Sequence, residues 1–209
     1  MKPLIVPAVI AKSQKKLDEM LNHVRGKAQR IMLDVMDEKF VSNSSLDFDF
    51  QLPLGAFEYE AHLMVEDQIG WIEKNAGKVD IVVMQVEALS DVGAAIELAK
   101  KKGLRVTLAL NPETGLDVIL PHLNYIDSVL VMTVNPGSFC VEFLPETLEK
   151  IKMLREIDSD IPIEVDGCMN PSNAKVAKNA GATIFASGSY VIKSSAPAKA
   201  IKELEDAVS

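Results

Sequence analysis

Two aspartates that end or interrupt apolar segments are the residues of this sequence best suited to chemistry. Asp34 lies inside the apolar run of residues 31–36, and Asp166 ends the run that contains Glu164 and Val165. A carboxylate among apolar side chains is costly unless a metal, a hydrogen-bond donor or a substrate compensates its charge. A single aspartate at a strand end can simply bond to a loop. Two such positions in one chain favour a shared site.

The segments that carry these aspartates belong to a chain that alternates strand and helix patterns. Eight apolar segments have the composition of buried strands, and nearly every one precedes apolar residues at helical spacing. A period of two places Met32, Asp34 and Met36 on one strand face. Near-continuous apolar strands are typical of a parallel sheet with a covered outer face. Eight such units favour an α/β fold, the (β/α)8 TIM barrel, over an open doubly wound sheet.

We predict a single barrel domain over residues 1–209, because no linker, low-complexity tract or charge block interrupts the chain. Residues 42–58 contain apolar residues at period two and no helical pattern, so helix 2 of the barrel is expected to be missing or replaced by a loop. Ser90 is the predicted N-cap of the helix that ends near Lys102. A short helix is predicted between Asn111 and His122.

Composition and charge argue against several functional classes. The formal net charge is −8, and the chain has no lysine- or arginine-rich run. This balance disfavours nucleic acid and anionic membranes as main partners. The apolar start, residues 1–10, is too short for a signal peptide or a membrane span. The two cysteines, Cys140 and Cys168, suit a cytoplasmic location, and a metal or disulfide shared between them is a less favoured alternative.

Polar residues at the predicted strand ends define one candidate site. The C-terminal ends of all barrel strands meet at one mouth. This rule brings together Asp34, His62, Gln85, Asn135, Asp166 and Ser189. A histidine inside an apolar strand can be a hydrogen-bonded core residue or a metal ligand, and for His62 both interpretations stay open.

Short motifs in the same order resemble the ribulose-phosphate 3-epimerase family, and they span most of the chain. The motifs are Leu33-Asp34-Val35-Met36-Asp37 with Phe40-Val41 and Asn43, Ala61-His62-Leu63-Met64-Val65, Val86-Glu87-Ala88, Ala109-Leu110-Asn111-Pro112, Val131-Met132-Thr133-Val134-Asn135-Pro136-Gly137, Glu164-Val165-Asp166-Gly167 and Ser187-Gly188-Ser189. No single motif is decisive, but the ordered set is specific.

The resemblance implies a (β/α)8 barrel that interconverts ribulose 5-phosphate and xylulose 5-phosphate. Asp34 and Asp166 match the family's proton-transfer pair, which works through an enediolate. The family holds a divalent metal with two histidines and two aspartates, and Asp34, His62 and Asp166 match three of these ligands. The residues expected to bind substrate are His62, Met36, Met64, Met132, Asn135, Gly137, Gly167, Gly188 and Ser189.

Several positions depart from the family pattern. Met32 stands where the family has its first metal-binding histidine, and a thioether is a poor ligand for a hard or borderline ion. Ala8 replaces a substrate-binding serine, Gln85 a histidine, and Cys168 a second glycine. The glycine-rich phosphate loop is replaced by residues 138–142, which end in Glu142 and are expected to weaken phosphate binding.

From these residues we expect a carbohydrate-phosphate epimerase, an isomerase acting on a ketose phosphate. The alternatives are a catalytically impaired barrel homologue that binds another ligand and an epimerase with a changed substrate. The expected cofactor is a divalent metal (Zn, Fe, Mn or Co), with binding weakened by Met32. The expected partners are a small-molecule sugar phosphate and further copies of the chain as a homo-oligomer, with neither nucleic acid nor membrane.

Overall fold

The central feature of the structure is a closed barrel of parallel strands. The computed structural model describes residues 2–137 and 142–209. A nine-stranded sheet contains eight parallel strands, and pairing of the first strand with both the second and the last closes it. The strands are β1 Leu4–Val9, β2 Arg30–Asp37, β3 Ser44–Ser45, β4 Glu58–Met64, β5 Ile81–Gln85, β6 Arg105–Leu110, β7 Ser128–Met132, β8 Ile163–Asp166 and β9 Ile184–Ser187. The predicted TIM-barrel fold is confirmed.

Helices cover the outside of the barrel. They are α1 Gln14–Val24, α2 Gln68–Asn75, α3 Val92–Lys101, α4 Thr147–Ile157, α5 Pro171–Ala180, α6 Ser189–Ile192 and α7 Pro197–Val208. Asp91, not the predicted Ser90, caps α3, because its carboxylate accepts a hydrogen bond from the Ala94 amide. Within the described part of the chain, none of the helices combines the length and the apolar character that crossing a membrane requires.

Two connections differ from regular strand–helix units. The predicted helix of residues 111–122 is absent, and two 3-10 segments, Leu116–Val118 and Leu120–Tyr125, take its place. Pro121 explains this, because it lacks an amide hydrogen and restricts the residue before it. Where helix 2 was expected to be lost, the short strand β3 runs antiparallel to β2, and the chain continues as a loop to Phe57.

The period-two pattern of the strands separates the barrel interior from the helix layer. Met32 belongs to an interior apolar cluster with residues of the other strands and of the segment after β7, namely Val6, Ala8, Val83, Ala109, Leu130, Met132, Val134, Ile184 and Ala186. Ile31, Leu33 and Val35 pack instead in the larger cluster with the helices. Asp34 therefore points into the barrel, because it shares the strand face of Met32.

An acidic pair occupies the barrel interior near the N-terminal ends of the strands. Glu60 and Glu164 are 0% exposed, and burial raises the pKa of both carboxyls. The charge of Glu60 raises the pKa of Glu164 further. Arg30 places its Nη1 atom 3.2 Å from Glu60 and its Nε atom 2.5 Å from Glu58. Arg105 forms a second ion pair with Glu58 nearer the surface.

Candidate active site

Three polar side chains from three strands meet at the C-terminal end of the barrel. Asp34 of β2 and His62 of β4 are register partners on neighbouring strands, and Asp166 ends β8. The His62 Nδ1 atom lies 3.4 Å from Asp34 Oδ1 and 3.5 Å from Asp166 Oδ2. One ligand atom from each residue lies within 4.8 Å of the other two. The structure thus brings together in one cluster three of the six residues that the strand-end rule placed at one mouth.

Burial and charge perturb this cluster strongly. Burial raises the pKa of Asp34 to about 6, and the charge of Asp166 adds to the effect while His62 opposes it. Burial alone lowers the pKa of His62, but Asp166 and Asp34 outweigh it and raise the pKa to about 9. Titratable groups with strongly perturbed pKa values at the mouth of a barrel are typical of proton-transfer sites.

A cavity of about 750 Å³ opens directly above the cluster. Nine of the predicted site residues line it, namely Asp34, Met36, Met64, Met132, Gly137, Asp166, Gly167, Gly188 and Ser189. His62 lies beneath, fully buried, and contacts the two carboxylates. Because methionine side chains supply much of the wall, the cavity combines an apolar surface with carboxylates at one end.

Two residues that were predicted to affect substrate binding do not line this cavity. Asn135 is exposed and absent from the cavity lining, whereas Val134 lines it. Glu142 is also exposed and does not line the cavity, so the expected repulsion of a phosphate by this carboxylate has no support here. Phe139 and Cys140 lie outside the described residues. The alternative of a metal or disulfide shared by Cys140 and Cys168 therefore also falls outside the described part of the chain.

The backbone around Asp166 needs an unusual conformation. Gly167 has φ +123°, and a Cβ atom there would lie 2.7 Å from the Val134 side chain. Cys168 follows with φ +52°. A left-handed backbone is costly for residues other than glycine, so glycine would occupy the position of Cys168 with less strain. This turn directs the chain away after β8 and leaves Asp166 at the cavity.

Three lysines at the rim of the cavity were not singled out from the sequence. Lys12 lies just before α1, Lys16 lies in the first turn of α1, and Lys193 follows α6. Lys16 pairs with Glu19 at 3.1 Å, and both side chains are about half exposed. The sequence around each lysine does not distinguish it from other surface lysines. The three come together because β1 pairs with β9, which brings the two ends of the chain to one cavity.

The carboxylate–histidine–carboxylate cluster fits a divalent metal. Asp34 Oδ1 and His62 Nδ1 are buried and have no hydrogen-bond partner among the described residues. Buried polar atoms without partners are rare unless a ligand or ion satisfies them. Imidazole and carboxylate donors suit zinc and neighbouring first-row ions. Met32, at the position matched to the fourth ligand, is 0% exposed and packs in the apolar interior cluster.

A first prediction concerns this fourth position. Met32→His is expected to raise zinc affinity by about tenfold or more, because an imidazole replaces a thioether beside three existing ligands. Met32→Leu is the matched control and should leave the affinity unchanged, since it keeps the volume and removes only the sulfur. Calorimetric titration of the metal-free proteins measures all three. Equal affinities would place Met32 away from the ion.

The fold and the site together define a class, a (β/α)8 barrel with an aspartate–histidine–aspartate centre at its C-terminal mouth. A family model described as the ribulose-phosphate 3 epimerase family matches residues 3–192. The ribulose-phosphate 3-epimerase of Bacillus subtilis (strain 168) is 32% identical over 210 residues, which cover 96% of this chain and 97% of the relative. The chain belongs to the ribulose-phosphate 3-epimerase family. This membership supports an activity as a pentose-phosphate epimerase.

Other relatives and solved structures agree with this family and fold. The ribulose-phosphate 3-epimerase of Schizosaccharomyces pombe (strain 972 / ATCC 24843) is 30% identical and covers 99% of this chain and 92% of its own length. A crystal structure of KGPDC from Streptococcus mutans has a TM-score of 0.72 at 14% identity, covering 100% of this chain and 98% of that chain. At that identity the structural likeness supports the fold alone.

Proposed function

We propose that this protein interconverts D-ribulose 5-phosphate and D-xylulose 5-phosphate by proton transfer at carbon 3. The observation that carries the proposal is the convergence of Asp34 and Asp166 on one cavity, from strands three places apart around the barrel. Epimerisation beside a ketone requires a proton to leave one face of the carbon and another to reach the opposite face. Two carboxylates within 4.8 Å can flank one such carbon.

The chemistry assigns each carboxylate one face of the substrate. One carboxylate takes the proton from carbon 3, the electron pair of the C–H bond forms the C2–C3 double bond, and the π electron pair of the C2 carbonyl moves onto its oxygen to give the enediolate. The other carboxylic acid then gives its proton to carbon 3 from the opposite side, and the ketone reforms. In the reverse reaction the two carboxylates exchange roles, and exchange with solvent protons restores the starting state.

His62 would help to hold a divalent cation beside the enediolate, and it orients the two carboxylates. The pKa of Asp34, raised to about 6, lies close enough to neutrality for its carboxylate to exchange a proton readily. Asp34, His62 and Asp166 would hold the divalent ion, which supplies positive charge beside the oxygens of the enediolate when bound. His62 Nδ1 faces both carboxylates, so the imidazole also orients them.

The methionines of the cavity wall can shield the enediolate intermediate from water. Met36, Met64 and Met132 are 1%, 3% and 2% exposed, and all three line the cavity. Their unbranched, polarizable side chains can follow the flat enediolate and exclude water from it. Packing of the barrel interior is their other role, and the two roles do not conflict.

The rim lysines suit the phosphate end of the substrate. Lys12 and Lys193 lie at the cavity with Ser189, whereas Glu142 is outside the lining. An ammonium a few ångströms from a phosphate gains about 1–4 kcal/mol between water-like and surface-like dielectric. In this chain, positive charge at the rim can therefore supply attraction that the family obtains from its glycine-rich loop.

A second prediction follows for substrate binding. Lys12→Ala and Lys193→Ala are each expected to raise KM for ribulose 5-phosphate about three- to tenfold, with kcat little changed, because they remove attraction shared by substrate and transition state. Lys15→Ala is the matched control, since Lys15 is exposed on α1 and does not line the cavity. Steady-state kinetics distinguish the three variants. Equal changes in all of them would place the phosphate elsewhere.

The proposed activity is tested by supplying ribulose 5-phosphate to the zinc- or manganese-loaded protein and measuring xylulose 5-phosphate. Turnover above the metal-only background, abolished by the Asp34→Asn change, supports the proposal. Non-phosphorylated ribulose is the comparison substrate. Turnover of ribulose alone would favour an epimerase with a changed substrate. Absence of turnover on both, in a folded and metal-loaded protein, would favour the impaired homologue that binds another ligand.

A cytoplasmic location and a homo-oligomer remain predictions. The rice relative named ribulose-phosphate 3-epimerase, cytoplasmic isoform, is 31% identical and covers 88% of this chain. Met153 and Ile157 lie one helical turn apart on α4 and are 53% and 51% exposed. Apolar surface of this kind is consistent with contacts between copies. Analytical ultracentrifugation measures the assembly state directly.

A further inference from the structure

Gln85 is a polar side chain of the barrel interior that the proposed reaction leaves without a role. It ends β5, is fully buried, and places its amide 3.0 Å from His62 Nε2. Its backbone carbonyl accepts a hydrogen bond of 2.7 Å from Gln68 Nε2, which ties the end of β5 to α2. The side-chain amide therefore sits on a fixed backbone and meets the ring nitrogen of His62 that faces away from the carboxylates.

The orientation of the Gln85 amide determines which side chain donates the hydrogen bond between Gln85 and His62. The amide nitrogen of Gln85 faces Nε2, and the amide oxygen has no partner among the described residues. A half-turn about the last side-chain torsion, which is two-fold, exchanges the two atoms. The oxygen then accepts a hydrogen bond from Nε2–H of His62. In that arrangement the neutral ring keeps its lone pair on Nδ1, the atom that faces Asp34 and Asp166.

A metal ion at this cluster needs that tautomer. An imidazole binds a metal through an unprotonated nitrogen, and the proton then resides on the other nitrogen. Partners that accept this second N–H fix the ring and raise its basicity, and their loss typically costs about 10–100-fold in metal affinity. Gln85 is the described side chain that meets Nε2.

We propose that Gln85 is a positioning residue that accepts the Nε2–H of His62 and thereby commits Nδ1 to a divalent cation shared with Asp34 and Asp166. The proposal rests on the proposed function only in locating the cation at the reaction site. It explains how a centre with three protein ligands, and Met32 at the fourth position, can still bind a cation. It also gives the buried amide a function beyond packing.

Zinc titration of the metal-free wild type, Gln85→Met and Gln85→Glu tests the proposal without substrate. Gln85→Met keeps the length and loses the acceptor, so affinity should fall about tenfold or more. Gln85→Glu can only accept, so affinity should rise above the wild type. A role in packing alone predicts the opposite for Gln85→Glu, because a buried carboxylate without a partner is destabilising. Affinities within twofold in all three proteins would overturn the proposal.

The ring nitrogens of His62 in the zinc-loaded wild type provide a measurement that needs no variant. Nitrogen-15 NMR should show the proton on Nε2 and the metal on Nδ1. The reverse assignment would overturn the proposal even if the protein is an active epimerase. Conversely, the expected assignment and affinity order would stand if ribulose 5-phosphate is not turned over, so the two proposals fail separately.

Discussion

Asp34→Asn and Asp166→Asn are each expected to lower kcat for ribulose 5-phosphate by about 10²–10⁴-fold, the usual contribution of a positioned acid or base. The amide keeps the shape of the carboxylate but cannot carry the proton. The change should appear mainly in kcat, because the substrate's contacts with the rim are retained. Coupled assays at saturating metal measure it.

These two variants should also differ from each other in a way that a structural defect would not produce. Each keeps one carboxylate, so each should still exchange the carbon-3 proton of one epimer with solvent without converting it. The two variants should act on opposite epimers. Asp49→Asn is the control, because Asp49 is an exposed residue paired with Lys78 and should retain wild-type kinetics. Exchange of the same epimer by both variants would contradict the assignment of opposite faces.

Arg30→Met is expected to lower the free energy of unfolding by about 3–5 kcal/mol at neutral pH, since it leaves buried carboxylates without their cation. Arg30 contacts Glu60, which is 0% exposed, and its charge also acts on Glu164. Chemical denaturation measures the loss. Arg105→Met is the matched control and should cost less than about 1 kcal/mol, because it removes only a partly exposed pair with Glu58.

The same loss should depend on pH with a definite sign. The pKa values of Glu60 and Glu164 are raised in the folded protein, so the folded state holds protons that the unfolded chain releases above about pH 4.5. Stability contributed by this pair therefore decreases as pH rises from that value. The cost of Arg30→Met should be smaller at pH 5 than at pH 8. Equal costs at both values, or equal costs for Arg30 and Arg105, would contradict this account of the pair.

Much of the barrel and the centre of the site follow from local pattern. A period of two put Asp34 on the interior face with Met32, and the rule for strand ends joined it to His62 and Asp166. Each of these residues lies within a strand or ends one, where alternation determines which way a side chain points. Asn135 lies three residues beyond the end of β7, where that alternation no longer applies, and the structure leaves it exposed.

The rim of the site depends on long-range geometry that local pattern does not contain. Lys12 and Lys193 approach one cavity only because the first and last strands pair. The acceptor for His62 depends on the register between β4 and β5, which places Gln85 two residues beyond the partner of His62, Val83. The position of Lys12 could have been predicted from the sequence, because it follows β1 and the residues after strand ends line the mouth of a barrel.

The central claim, proton transfer by two carboxylates on opposite faces of carbon 3, is tested most directly by one turnover in deuterium oxide. Protio ribulose 5-phosphate is mixed with excess metal-loaded wild-type protein, and carbon 3 of the first xylulose 5-phosphate formed is examined by mass spectrometry. The account predicts deuterium at carbon 3 in nearly every product molecule, because the returning proton comes from a different carboxyl group. Substantial retention of the original hydrogen in the product would mean that one group moves the proton between both faces and would contradict the account.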